Sequence, residues 1–223
     1  MIAALDIETI GNKDIIDLIP PPEVKHGNTK DPDKIAAKED EARDKQLEKL
    51  ALDPLTGRVV CCAFVSTSGE ESTLMITTVD NDGERTLIQE IFGFLGSDEM
   101  RIVTWNGIGF DIPFIYRRAI ILNVDPANFG APPLTAWTKR YNTDRHYDLM
   151  KIWDNWQSGT FTKLDLVAKL VLDSGEGKEE MDVTKIEEML ETDEGRAKVA
   201  SYCLQDTRIT MQLFKRFLGY LFA

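Results

Sequence analysis

The first nine residues, Met1-Ile2-Ala3-Ala4-Leu5-Asp6-Ile7-Glu8-Thr9, join an apolar run of strand length to two carboxylates. Side chains alternate faces along a strand, so Asp6 and Glu8 share one face and Ile7 takes the other. Two acids close together in a buried strand repel each other and lose solvation unless a cation sits between them. Two readings stay open on this stretch alone: a frayed terminus with its acids in water, or a divalent-metal site at a strand end.

A chain of 223 residues is long enough for one large domain with a well-buried core. Three cysteines, Cys61, Cys62 and Cys203, are too few and too poorly spaced for a disulfide framework or a zinc site, which points to a reducing cytoplasm. No apolar run approaches a membrane span, and the N-terminus lacks the basic-then-apolar layout of a secretory signal. The net charge of −12 argues against a sequence-independent duplex binder. It leaves a nuclease open, because metal-binding carboxylates are neutralised in use.

Along the chain, residues 2–7 read as the opening strand, ended by Thr9-Ile10-Gly11-Asn12. An irregular stretch with Pro20-Pro21-Pro22 follows, and then Asp31-Pro32 caps and opens a helix through about Leu52. Its thin apolar stripe (Ile35, Ala42, Leu47, Leu50) fits either a solvated outer helix or an arm lying beside the site. Arg58 to Ser66 and Ser72 to Val79 read as a hairpin. Asp82-Gly83 introduces a helix that Gly96 ends. Arg101 to Trp105 is a short strand, and a helix runs from about Gly109 to Leu122. Residues 123–146 read as a long loop, and helices follow over Leu164 to Leu172, Val183 to Leu190 and Glu194 to about Leu218. This order predicts an α/β fold, a mixed sheet covered by helices, with a mostly helical insertion at about 11–57 and one domain over 1–223.

Two later stretches carry further acids. Asp111, in Asn106-Gly107-Ile108-Gly109-Phe110-Asp111, lies in the first turn of a helix, where an acid also serves as a dipole partner. Tyr202 and Asp206 lie four apart in the last helix and share a face. Asp206 falls inside the apolar arc of Val199, Cys203, Ile209, Leu213, Phe214 and Phe217, so it needs a metal, a salt bridge or a hydrogen-bonded neutral form.

Taken together, Asp6-Ile7-Glu8-Thr9, Asn106 through Phe110-Asp111, and Tyr202 followed by Asp206 resemble the three motifs of the DEDD 3′–5′ exonucleases, which have an RNase H-like fold. The tyrosine places the resemblance in the DEDDy branch, among predicted exonucleases related to the proofreading domain of family B DNA polymerases. Leu52 to Val60 and His146-Tyr147-Asp148-Leu149 also look like that group.

The resemblance implies that Asp6, Glu8, Asp111 and Asp206 hold two divalent cations, Mg²⁺ or Mn²⁺, and that Tyr202 orients the attacking water. It implies that Thr9, Ile10, Asn106 and Phe110 bind substrate, a single-stranded DNA 3′ end. RNA is the alternative substrate, and a non-catalytic binding or scaffold module is the alternative from another class. It leaves room for a polymerase or replication partner in trans. The basic and aromatic run Trp137, Lys139, Arg140, Tyr141, Arg145, His146 and Tyr147 reads either as a single-strand grip or as a surface loop with Trp137 packed inward. His146 and Asp148 read as second-layer site groups or as a cap and a structural acid. The tail Phe217 to Phe222 is apolar enough for core or for docking.

Overall fold

A five-stranded sheet, β3-β2-β1-β4-β5, organises the fold in a computed structural model that describes residues 1–97, 99–172 and 181–220. In chain order the elements are β1 (Ile2–Gly11), α1 (Pro32–Glu48), β2 (Gly57–Ser66), β3 (Glu71–Met75), α2 (Asn81–Leu95), β4 (Arg101–Thr104) and α3 (Asp111–Ile121). Then come α4 (Leu134–Trp137), β5 (His146–Asp148), α5 (Leu149–Trp153), α6 (Leu164–Val171), α7 (Ile186–Met189) and α8 (Asp193–Phe217). β1, β2 and β3 form an antiparallel meander, while β4 and β5 run parallel to β1 on its other side. The expected mixed sheet flanked by helices is what the chain forms, and residues 12–56 between β1 and β2 are mostly helical turns and α1.

Alternation along β1 sends Ala4, Asp6 and Glu8 to one face and Leu5 and Ile7 to the other. α8 covers the first face. Its C-terminal half packs Met211, Leu213, Phe214 and Phe217 against Ala4, Val65 and Val103. α2 lies on the second face, where Phe94 stacks on Phe64. α8 is a well-specified helix: Thr192 accepts the Gly195 N–H as its N-cap, Asp193 and Glu194 occupy the first turn, and Lys215 and Arg216 the last. A second anchor is a buried ionic knot. Glu84 accepts from the Val59 N–H at 2.9 Å and from Arg118 at 2.8 and 2.7 Å, with Arg58 alongside at 3.5 Å. Arg58 and Arg118 reach on to Asn12 and to the Pro54 carbonyl, so the knot grips both ends of the segment between β1 and β2.

Several boundaries differ from those the sequence suggests. β1 continues through Gly11 instead of stopping near Ile7, because Thr9, Ile10 and Gly11 keep pairing with Val59, Arg58 and Gly57 past a bulge at Val60. β3 ends at Met75, because Thr78 bonds to Asp80, which turns away to cap α2. The stretch 123–146 is not one irregular loop; it contains a 3-10 turn at Pro126–Phe129, α4 and the start of β5. α1 stops at Glu48, and Leu50–Leu52 form a separate 3-10 turn. α3 begins at Asp111, and residues 183–190 split into a turn and α7. In the apolar tail, Leu221 and Phe222 lie outside the described residues.

Candidate active site

β1 has ten residues and β4 only four, and their pairing covers Ile2 to Ala4 alone. Beyond Ala4 the β4 side of β1 borders an open notch at the C-terminal ends of the parallel strands, where open α/β sheets place their ligands. The Ile7 N–H has no β4 partner there; it donates to the Asp111 carboxylate at 3.2 Å. One hydrogen bond thus sets the first turn of α3 against β1, next to Asp6 and Glu8.

Asp6, Glu8 and Cys203 bring ligand-type atoms within 4.8 Å of one another, the one such group among the described residues. Glu8 is buried and Asp6 half-buried. Cys203 rides on α8, with Sγ 3.5 Å from the Asp6 carbonyl and 4.0 Å from its carboxylate. Asp206 is one turn further along the same buried face of α8, 8% exposed, and Tyr202 sits half-buried beside Cys203, four residues from Asp206. β1 and α3 therefore bring Asp6, Glu8 and Asp111 to this edge of the sheet, and α8 places Asp206 one turn from the Cys203 that packs on Asp6.

Electrostatics follow from this burial. Desolvation pushes the Asp111 carboxyl up to about 7, with the charge of Asp148 adding to the rise and the N–H groups of Asp111 and Ile7 opposing it. Burial also pushes the Cys203 thiol well above its usual value, aided by Cys61 and the charges of Asp6 and Glu8, so it stays protonated. A neutral thiol is a poor ligand for a hard cation, whereas clustered carboxylate oxygens suit Mg²⁺ or Mn²⁺. The donor set fits such ions at Asp6 and Glu8.

The loop leading into Asp111 is held from below. Asp148, at the end of β5, accepts the N–H groups of Asn106 (3.2 Å), Ile108 (2.8 Å) and Lys151 (3.1 Å). Asn106 takes a left-handed φ of 68°, and its carbonyl accepts the Gly109 and Phe110 N–H groups. Gly107 is required by space: a Cβ there would meet Thr104 Oγ1 at 2.2 Å. His146 Nδ1 can only donate to the Trp137 carbonyl (2.8 Å), so Nε2 accepts from the Thr104 hydroxyl (2.7 Å), which accepts the Gly107 N–H (2.9 Å). Burial holds the His146 imidazole below its ordinary value, keeping that neutral relay. Of the two readings open for His146 and Asp148, both side chains are bonded into the support of this loop.

Of the remaining sequence candidates, Thr9, Ile10 and Phe110 line a cleft of about 530 Å³ beside Glu8. Thr9 donates its hydroxyl to the Ala51 carbonyl at 2.7 Å; Ile10 is buried in the core and borders the cleft. Phe110 is half-buried against Phe114 at the cleft wall. Leu47, Glu48 and Leu50 to Leu52 close the other side, so the body of α1 buries no residue while its C-terminal end lies beside the acids. The basic and aromatic run divides: Trp137 packs inward at 1% exposure and donates to Tyr116, while Lys139, Arg140 and Tyr141 face solvent.

Sequence reasoning missed Cys203 beside Asp6, although its spacing of three from Asp206 put both on one face. It also passed over Thr104, whose role depends on a partner 42 residues away and leaves no local signal.

Residues 52–220 match a family described as predicted 3′–5′ exonucleases related to the exonuclease domain of PolB. A DNA polymerase of Thermococcus litoralis is 25% identical over 203 residues, spanning 78% of this chain and 12% of the polymerase. The family B DNA polymerase from the hyperthermophilic archaeon Pyrobaculum calidifontis superposes with a TM-score of 0.64 at 23% identity, over 97% of this chain and 24% of that one. That likeness shows a shared RNase H-like fold. The chain spans a quarter or less of the length of either polymerase. No helix among the described residues is long and apolar enough to cross a membrane. The chain belongs to the predicted 3′–5′ exonucleases related to the exonuclease domain of PolB.

Proposed function

We propose that the chain hydrolyses phosphodiester bonds at the 3′ end of single-stranded DNA, releasing nucleoside monophosphates, with two divalent cations bound by Asp6, Glu8, Asp111 and Asp206. The observation that supports this reading is the Asp6–Glu8 pair with ligand-type atoms within 4.8 Å, flanked by Asp111, which accepts the N–H of the intervening Ile7, and by a protonated thiol as the neighbouring soft donor. Mg²⁺ or Mn²⁺ ions held there would supply a hydroxide at neutral pH and stabilise the leaving 3′ oxygen.

The chain's own residues divide the rest of the work. Asp148 and the His146–Thr104 relay fix the loop that delivers Asp111. Tyr202 orients the attacking water through its hydroxyl, since a phenol is too weak a base near neutrality to remove the proton. Thr9, Ile10 and Phe110 form walls of a cleft of ligand size against which the terminal nucleotide rests, and Asn106, on the loop before Phe110, meets the strand beside it. The mostly apolar lining suits a base and sugar, and the acids suit the phosphate only once cations are in place.

The test is a time course on matched 5′-labelled single-stranded DNA and RNA with Mg²⁺, Mn²⁺ or EDTA. A ladder shortening from the 3′ end, abolished by EDTA and by Asp6→Ala and reduced to a remnant by Tyr202→Phe, supports the reading. The faster substrate names the sugar. Intact substrates in both metals, with binding retained, would replace hydrolysis by a scaffold role.

A further inference from the structure

The half of the basic and aromatic run that faces solvent does not belong to the acid cleft. Tyr141 is 71% exposed, and the Arg140 guanidinium lies 5.3 Å from its ring centroid. Trp156, from a different loop, comes within 5.2 Å of the same ring at 49°. Tyr141 and Trp156 adopt left-handed φ values of 56° and 57°, a region bulky residues rarely occupy and hold only where their surroundings enforce it.

Charge singles out the same surface. From Trp137 to Lys163 there are five cations, Lys139, Arg140, Arg145, Lys151 and Lys163, against three acids, in a chain whose net charge is −12. Of those acids, Asp148 is buried under three N–H groups, Asp144 accepts from Asn142, and Asp154 accepts from Thr162. Lys139, Arg140 and Arg145 are exposed.

Both loops are tethered to the notch. The first runs directly into β5 and Asp148, so Tyr141 stands within about 25 Å of Asp148 along seven residues. The second is pinned where the Trp105 indole N–H donates to the Thr162 carbonyl at 2.9 Å, and Trp105 adjoins Asn106. A polynucleotide whose 3′ end occupies the notch can therefore reach this surface with a nucleotide further upstream.

We propose that Tyr141, Trp156 and Arg140 form a second contact site, a stacking platform for an unpaired base of a single-stranded polynucleotide, with Lys139 and Arg145 meeting its phosphates. Every base offers a π-face and every phosphate a charge, so the platform grips without reading sequence. Which end of the strand it holds upstream rests on the exonuclease reading; the affinity for single strands does not.

The experiment measures binding of 5′-fluorescein-labelled oligothymidylates and oligouridylates of 2, 4, 8 and 12 nucleotides to the full chain by anisotropy. Phosphorothioate 3′-terminal linkages prevent turnover in Mg²⁺. Affinity should climb with length, and Tyr141→Ala should weaken the 8- and 12-mers about five- to a hundredfold while leaving the dinucleotide unchanged. Tyr141→Phe should retain the wild-type length dependence, and Arg145→Gln should flatten the salt dependence for the long oligomers. Matching thermal melts check that Tyr141→Ala stays folded.

Equal binding by Tyr141→Ala and wild type at every length, an equal loss on the dinucleotide, or no binding to either polymer overturns the platform. The comparison of thymidylate with uridylate assigns the sugar. Hydrolysis in a parallel assay decides the other question separately: length-dependent binding lost in Tyr141→Ala without any cleavage keeps the platform and removes the nuclease. Cleavage with no such dependence does the reverse.

Discussion

Replacing Asp111 with asparagine should stabilise the metal-free protein while destroying its activity. The amide side chain would still offer an oxygen to the Ile7 N–H that Asp111 accepts at 3.2 Å, so the geometry has no reason to change. What disappears is a buried charge. Burial raises the Asp111 carboxyl from an ordinary 3.8 to about 7. At about 1.4 kcal/mol per pH unit, keeping it ionised costs the fold about 4 kcal/mol above pH 7. The sign follows from proton counting. Between about pH 4 and 7 the unfolded chain has lost this proton and the folded chain has kept it, so stability falls as pH rises, and the full cost is present above 7. His146 works the other way: its folded value is depressed, so it destabilises as pH falls below about 6.5. Only the difference between variant and wild type isolates Asp111. In calorimetric melts with EDTA, Asp111→Asn should melt roughly 8–16 °C above wild type at pH 8, and by less than half of that at pH 5. Adding Mg²⁺ at pH 8 should raise the wild-type midpoint and leave the variant nearly unmoved. A wild type that melts at or above the variant in EDTA at pH 8 would refute the reasoning, because the carboxylate would then carry no burial cost.

The other expectations test the supports around the notch. Glu84→Gln leaves Arg118 buried without its counter-charge and Arg58 with only the exposed Asp14, which should cost about 3–5 kcal/mol and lower the melting midpoint by roughly 6–20 °C; a change under 2 °C by calorimetry would contradict a structural knot. Asp148→Asn turns one acceptor into a donor facing backbone N–H groups, so kcat at saturating Mg²⁺ should fall roughly 10- to 100-fold with little unfolding by circular dichroism. Gly107→Ala places a Cβ on the Thr104 side chain and should destabilise by about 1–3 kcal/mol in urea melts, with activity lost well before the fold.

The acid pair was legible because strand alternation is local: Asp6 and Glu8 share a face whatever packs on it. The same holds for Asp206, which helical periodicity alone puts on the buried arc of α8. The N-cap at Asp31 and the proline after it were equally readable, since capping needs only neighbours. What stayed hidden depends on distant partners. Thr9-Ile10-Gly11 looks like a strand end, yet β2 holds it in register across the bulge. β5 has three residues, too few for any period to show, and nothing in Trp137 tells whether it faces Tyr116 or solvent. Asp148 reads as an ordinary helix cap, which it is; its bonds to Asn106 and Ile108 across some 40 residues appear only once β4 and β5 pair.

Unequal strand length explains why the candidate site lies where it does. Had β4 continued beside β1 past Ala4, a ladder bond would satisfy the Ile7 N–H and the notch would be filled by backbone. Because β4 stops at Thr104, the chain must turn immediately, and the turn has to satisfy its own polar groups. Asn106 in the left-handed region, Gly107 under Thr104 and the two Asp148 oxygens accomplish that within five residues, and the next helix starts at Asp111, against the vacated edge of β1. The same event that opens the space thus supplies the third acid to it. α8 closes the arrangement from the face on which Asp6 and Glu8 already lie, with the small Cys203 side chain against Asp6 allowing the helix to approach. A bulkier residue at 203 would push α8 away and carry Asp206 with it, so Cys203→Leu should depress activity far more than its effect on stability would suggest. Cys203→Ala, which keeps the approach, should remain active.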